Sequence, residues 1–118
     1  MTPSALLYAL SDARWDAVSA LCRTQGVTPR RLESGDYATP IGALLGFPGA
    51  AAGAGGPILD EMMVLCGFTA QRLDDFLAAF RAQGVAPIAL KAVLTPSNAA
   101  WSGAALYREL LRERQGMG

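Results

Sequence analysis

The residues best suited to chemistry gather in one short stretch, Leu90-Lys91-Ala92-Val93-Leu94-Thr95-Pro96-Ser97-Asn98-Ala99-Ala100-Trp101. Lys91 is the only lysine in the chain. Strand alternation groups it with Ala89, Val93 and Thr95, opposite Ile88, Leu90, Ala92 and Leu94. Lysine, threonine and asparagine then converge where a strand ends and a helix begins. The open amides of a helix N-terminus favour an anion, so a carboxylate or phosphate is the ligand such a set would hold. A structural reading competes. Ser102 is placed as an N-cap, and Trp101 before it would pack on Leu106 as a hydrophobic staple. Lys91, Thr95, Asn98 and Trp101 are therefore the candidate ligand-binding residues.

Other reactive types offer less. Histidine is absent, which removes the usual acid–base agent at neutral pH and the commonest metal ligand. Cys22 and Cys66 are too few and too far apart for a zinc site. Cys22 falls on a helical apolar stripe and reads as a small buried hydrophobe, and no histidine exists to activate either thiol. Asp16, Asp74 and Asp75 fall on helix faces opposite the apolar stripe, where carboxylates are ordinarily solvated. The run GFPGAAAGAGGP lacks the GK[ST] ending of a phosphate-binding loop and reads as a linker. No catalytic residue, metal or cofactor is expected, and a non-enzymatic protein is favoured over an enzyme.

Composition narrows the setting. The 118 residues carry ten basic and ten acidic side chains, with no block of like charge, so no nucleic-acid partner is expected. The N-terminus has no basic region, and its apolar run from Ala5 to Leu10 is too short for a signal peptide. The uncharged stretch from Ala38 to Leu59 is broken by Pro40, Pro48 and Pro57, so no membrane association is expected. A cytoplasmic location follows. Arginine and alanine dominate their classes, which points to a bacterial GC-rich source.

The elements that must position these residues occur twice. Residues 8–32 align without a gap on 66–90, matching Arg14 with Arg72, Asp16 with Asp74, and Arg23, Gln25, Gly26, Val27 and Pro29 with Arg81, Gln83, Gly84, Val85 and Pro87. In each copy an apolar run reaches a cap residue, Ser11 or Thr69, and opens an amphipathic helix. The helix ends at Gly26 or Gly84. A second strand follows, Val27–Glu33 as a polar edge and Val85–Leu94 apolar on both faces.

The chain is thus expected to be a single domain, 1–118, with repeats at 5–46 and 60–114 joined by a Gly/Ala/Pro-rich linker at 47–58. The fold class expected is α+β. Two βαβ units would form a ferredoxin-like four-stranded antiparallel sheet with helices on one face and an extra C-terminal helix. An open α/β three-layer sheet is the alternative.

Leu90, Lys91, Ala92, Thr95, Asn98 and Trp101, followed by SGAALYRELLRER, resemble a bacterial family catalogued as domain of unknown function 3783. The resemblance covers residues 60–114. It implies a leucine–lysine–alanine strand, a threonine, an asparagine three residues on, and a tryptophan before a C-terminal helix, with no activity to carry over. The first copy departs from this pattern, with Glu33 in place of Lys91. Three functions are weighed. The leading one is a binding or regulatory module that self-associates as a homodimer, because strands apolar on both faces need a cover on the face the helices leave open. The second is binding of a small anion or metabolite at Lys91, Thr95 and Asn98. The third is RNA binding, for which Tyr8 is the one ready aromatic.

Overall fold

A computed structural model describes residues 2–47, 53 and 55–116, with the side chains of 115 and 116 outside that set. Residues 48–52 and 54 of the expected linker also lie outside it. Along the chain run β1 (Ser4–Tyr8), α1 (Asp12–Thr24), β2 (Thr28–Leu32), α2 (Ile41–Leu44), β3 (Met62–Cys66), α3 (Ala70–Ala82), β4 (Leu90–Val93) and α4 (Gly103–Gly116). Single 3-10 turns occupy Ser34–Asp36 and Asn98–Ala100.

The two long central helices start and stop by the same chemistry. Ser11 Oγ accepts from the Arg14 amide at 3.2 Å, and Thr69 Oγ1 accepts from the Arg72 amide at 3.1 Å. Gly26 and Gly84 both adopt φ of 69°, the left-handed conformation that ends a helix. The next amide then folds back, from Val27 to the Cys22 carbonyl at 2.9 Å and from Val85 to the Phe80 carbonyl at 2.8 Å.

The strands form one mixed sheet in the order β2-β1-β3-β4. β1 pairs parallel with β2, β3 pairs parallel with β4, and the antiparallel contact lies between β1 and β3. The described residues form an α+β fold with a four-stranded mixed sheet and four helices. The antiparallel ferredoxin-like order is replaced, because each helical crossover returns the chain to the strand position next to the one it left. A right-handed crossover from β1 to β2 puts α1 on one face. β3 runs the opposite way and its crossover moves the opposite way, so the same hand puts α3 on that face too. The core there combines Leu21 and Cys22 of α1 with Phe76 and Phe80 of α3, over Ala5, Leu7, Met63 and Leu65.

The other face is covered as well, so the helices do not lie on one side alone. Leu6, Tyr8, Met62 and Val64 pack against Ile41 of α2, Ile58, and Leu106 and Tyr107 of α4. All five residues of β3 are buried, as a central strand with apolar side chains on both faces requires. The uncovered face that motivated a second subunit is therefore filled by the chain's own tails. The two tails also join each other. The Ile41 amide donates to the Trp101 carbonyl at 2.9 Å, and the Ala104 amide donates to the Tyr37 carbonyl at 3.0 Å.

One strand is shorter than expected. Val85–Leu94 reads as continuous strand, yet only Leu90–Val93 pairs with β3. Pro87 has no amide to give a ladder, and Ile88 turns into the core at 1% exposure. The chain reaches the sheet only after that plug. Leu32 therefore lies opposite Tyr8, whereas its sequence counterpart Leu90 lies opposite Met62.

Candidate functional site

The corner running from β4 into α4 contains all four candidate residues. β4 is an edge strand, and the Leu94 amide donates to the Leu65 carbonyl at 2.8 Å. With a period of two, Leu90 and Ala92 share that orientation, and Lys91 and Val93 direct their backbone groups away from the sheet. Asn98 closes part of this open edge, its Nδ2 donating to the Val93 carbonyl at 3.0 Å.

Thr95 and Asn98 satisfy each other. Asn98 Oδ1 accepts from the Thr95 amide at 2.8 Å, and Thr95 Oγ1 accepts from the Asn98 amide at 3.1 Å. This is the reciprocal arrangement of a capping box with asparagine in the acidic position, and Pro96 stands just after the cap, where its missing N–H costs nothing. Asn98 is 9% exposed, and its side chain is engaged at both ends.

Lys91 sits apart from that pair. Its Nζ donates to the Ile88 carbonyl at 3.0 Å, leaving ammonium protons over, and the residue is exposed. Two apolar hollows flank it. One of about 180 Å³ is lined by Met63, Leu77, Phe80, Pro87 and Ile88. The other, of about 140 Å³, is lined by Leu65, Leu73, Leu77, Ala92 and Val93. Val93 remains 45% exposed at its rim.

Thr95 opens instead onto a hollow with Phe47, Leu94, Pro96 and Ala99, and Trp101 onto one with Gly53, Ser102, Ala105 and Glu109. The structure thus brings Thr95 and Asn98 together, while Lys91 and Trp101 face separate hollows. Ser102 does cap α4, its Oγ accepting from the Ala105 amide at 3.1 Å. Leu106 lies in the core at 3% exposure while Trp101 stays 39% exposed.

Burial disfavours the charged forms of both thiols. Burial pushes the Cys22 thiol up to about 11 and raises that of Cys66. Both shifts run opposite to what a reactive thiolate needs. Burial, with the Asp36 charge adding to it, also raises Tyr8, whose hydroxyl has no hydrogen-bond partner among the described residues. Tyr8 is fully buried, so the aromatic available to stack on a base is not presented to one. Among the described residues no cluster of His, Cys, Asp and Glu could hold a metal ion, and no helix is long and apolar enough to cross a membrane.

Sequence reasoning puts Leu73 and Leu77 on the apolar stripe of the second helix and Val93 on the strand beside Lys91, but assigns none of the three to a site. The Trp15-to-Leu73 difference is visible in the alignment of the two copies. The place of Val93 is not, because β4 pairs with β3 in a register that the gapless alignment does not give.

These features define a small α+β protein whose β4 sheet edge is exposed and partly guarded. Residues 61–117 match the model of the family described as domain of unknown function (DUF3783). No curated protein and no solved structure matches the chain.

Proposed function

We propose that this protein is a non-enzymatic binding module that engages a partner protein along the β4 edge. The observation that carries this reading is the placement of Lys91, on an exposed edge strand between two apolar hollows. An edge strand beside a helix offers main-chain hydrogen bonds for affinity and side-chain hollows for selectivity, the mode of strand addition. The neutral, buried thiols and the absence of histidine from the sequence support binding over group transfer. Thr95 and Asn98 support it by building the corner: they end β4 and leave only its outer edge at Lys91 and Val93 for contact.

Selection of phage-displayed random peptides on the intact protein tests the reading. Wild type is expected to enrich peptides whose binding falls about tenfold or more in a Val93→Pro variant, which removes an outward amide and an apolar rim. No enrichment, or peptides that bind the variant equally well, would sink it.

A further inference from the structure

The occupant of this edge can be named from the molecule's other half, an inference that rests on the reading just given. Ser4–Tyr8 and Asp12–Thr24 correspond residue for residue to Met62–Cys66 and Ala70–Ala82. The ladder between β1 and β3 is symmetric about this correspondence: Leu6 faces its counterpart Val64, Ser4 faces Cys66, and Tyr8 faces Met62. Each groove between helix and edge strand therefore has a twin.

In the first half the groove fills itself. Trp15 packs against the core, and the guanidinium carbon of Arg31 lies 5.9 Å from its ring centroid. Arg31 is held there by Asp12 Oδ1 at 2.8 Å and the Leu10 carbonyl at 3.0 Å. In the second half Leu73 stands at the position of Trp15. Val93 lies opposite Leu65, where Arg31 lies opposite Leu7. Both replacements are smaller and apolar, and the hollow of about 140 Å³ lies where they meet.

We propose that this hollow takes an aromatic side chain carried by an extended segment of a partner protein that adds antiparallel to β4. An acidic side chain two residues after the aromatic one meets Lys91. Side chains two apart share a face of a strand, and Lys91 and Val93 are themselves two apart, so one segment reaches both features. Lys91 can exchange both backbone hydrogen bonds with the segment. Val93 offers its amide, while its carbonyl already accepts from Asn98. Hollows of about 140 and 180 Å³ are smaller than the roughly 300 Å³ at which small-molecule pockets begin, whereas a strand uses shallow hollows in succession.

The test is an amide-shift titration of the ¹⁵N-labelled full chain with a blocked octapeptide containing Trp-Thr-Glu in a Ser/Thr background. Saturable shifts are expected at Leu73, Leu77, Lys91 and Val93. Replacing the peptide tryptophan by alanine should weaken binding about tenfold or more. Leu73→Trp, which copies Trp15, should fill the hollow and weaken binding to a similar degree. Lys91→Glu, at an exposed position, should instead prefer a Trp-Thr-Lys peptide and keeps the test decisive if Leu73→Trp does not fold.

Absence of saturable shifts, or undiminished binding by a folded Leu73→Trp, overturns the proposal. So do shifts that depend on protein concentration without peptide, since the edge would then be taken by a second copy. If selected phage peptides need Val93 but lack the aromatic–acid pair, this inference fails while the strand-addition reading stands. If selection yields nothing, both fall.

Discussion

Tyr8 shows how closely single residues are fitted on the tail face of the sheet. A Cβ added at Gly103 would collide with its Cε2 and lie 2.9 Å from its hydroxyl oxygen, so glycine is needed there for close approach rather than for backbone freedom. The hydroxyl itself has no hydrogen-bond partner among the described residues. A buried polar group left unpaired costs about 1–3 kcal/mol, so Tyr8→Phe is expected to keep or raise stability. Gly103→Ala is expected to lower it by about 1–3 kcal/mol through overpacking. Urea midpoints of the two variants against wild type check both directions. A loss of stability in Tyr8→Phe would show that the hydroxyl has a partner after all.

At the scale of elements, the corner after β4 depends on one side chain. Asn98 joins the end of the strand to the 3-10 turn that follows, accepting from the Thr95 amide and donating to the Val93 carbonyl. Asn98→Ala removes both bonds, and at about 0.5–1.5 kcal/mol for each, a loss of roughly 1–3 kcal/mol is expected. Asn98→Asp retains an acceptor for the Thr95 amide but loses the donor to Val93, and should fall between. Denaturant unfolding at neutral pH measures the order. An Asn98→Ala variant as stable as wild type would remove the structural account of this residue. The same bond blunts part of the edge, as a lysine on an exposed strand also does. The edge is thus open at Lys91 and partly closed at Val93, and the proposed segment must fit that restriction.

The whole molecule consists of one sheet with a packed layer on each face, and the layers share the same strands. Leu7 and Leu65 serve one core, while Leu6 and Val64 serve the other. Loss of either layer exposes the sheet that supports its partner, so unfolding should be a single transition. The two tryptophans report on the two layers, Trp15 beside the central helices and Trp101 beside the joined tails. Single-tryptophan variants, Trp101→Phe and Trp15→Phe, should each give a fluorescence curve that coincides with its own circular-dichroism curve. Separated curves in either variant would show that the tail layer melts independently.

Much of this was legible in the residues. The caps at Ser11 and Thr69, the glycines that end α1 and α3, and the cap at Ser102 are local devices, because each hydrogen bond closes within a few residues. The apolar character of both faces of β3 required two cores. It could not say what would cover the second one. Which strands became neighbours depended on contacts distant in sequence, and the shift of β4 depended on how Ile88 packs. The candidate residues divide in the same way. Thr95 and Asn98 lie three apart and found each other as neighbours in sequence do. Lys91 gained its setting from Leu73, Leu77 and Phe80 on a helix packed beside its strand, and Trp101 gained its own from a tail that begins at Pro40. Sequence alone determined the local units and their ends. Tertiary structure alone decided which strands became the sheet edges and what surrounds β4, because those depend on side chains brought together only when the sheet is assembled.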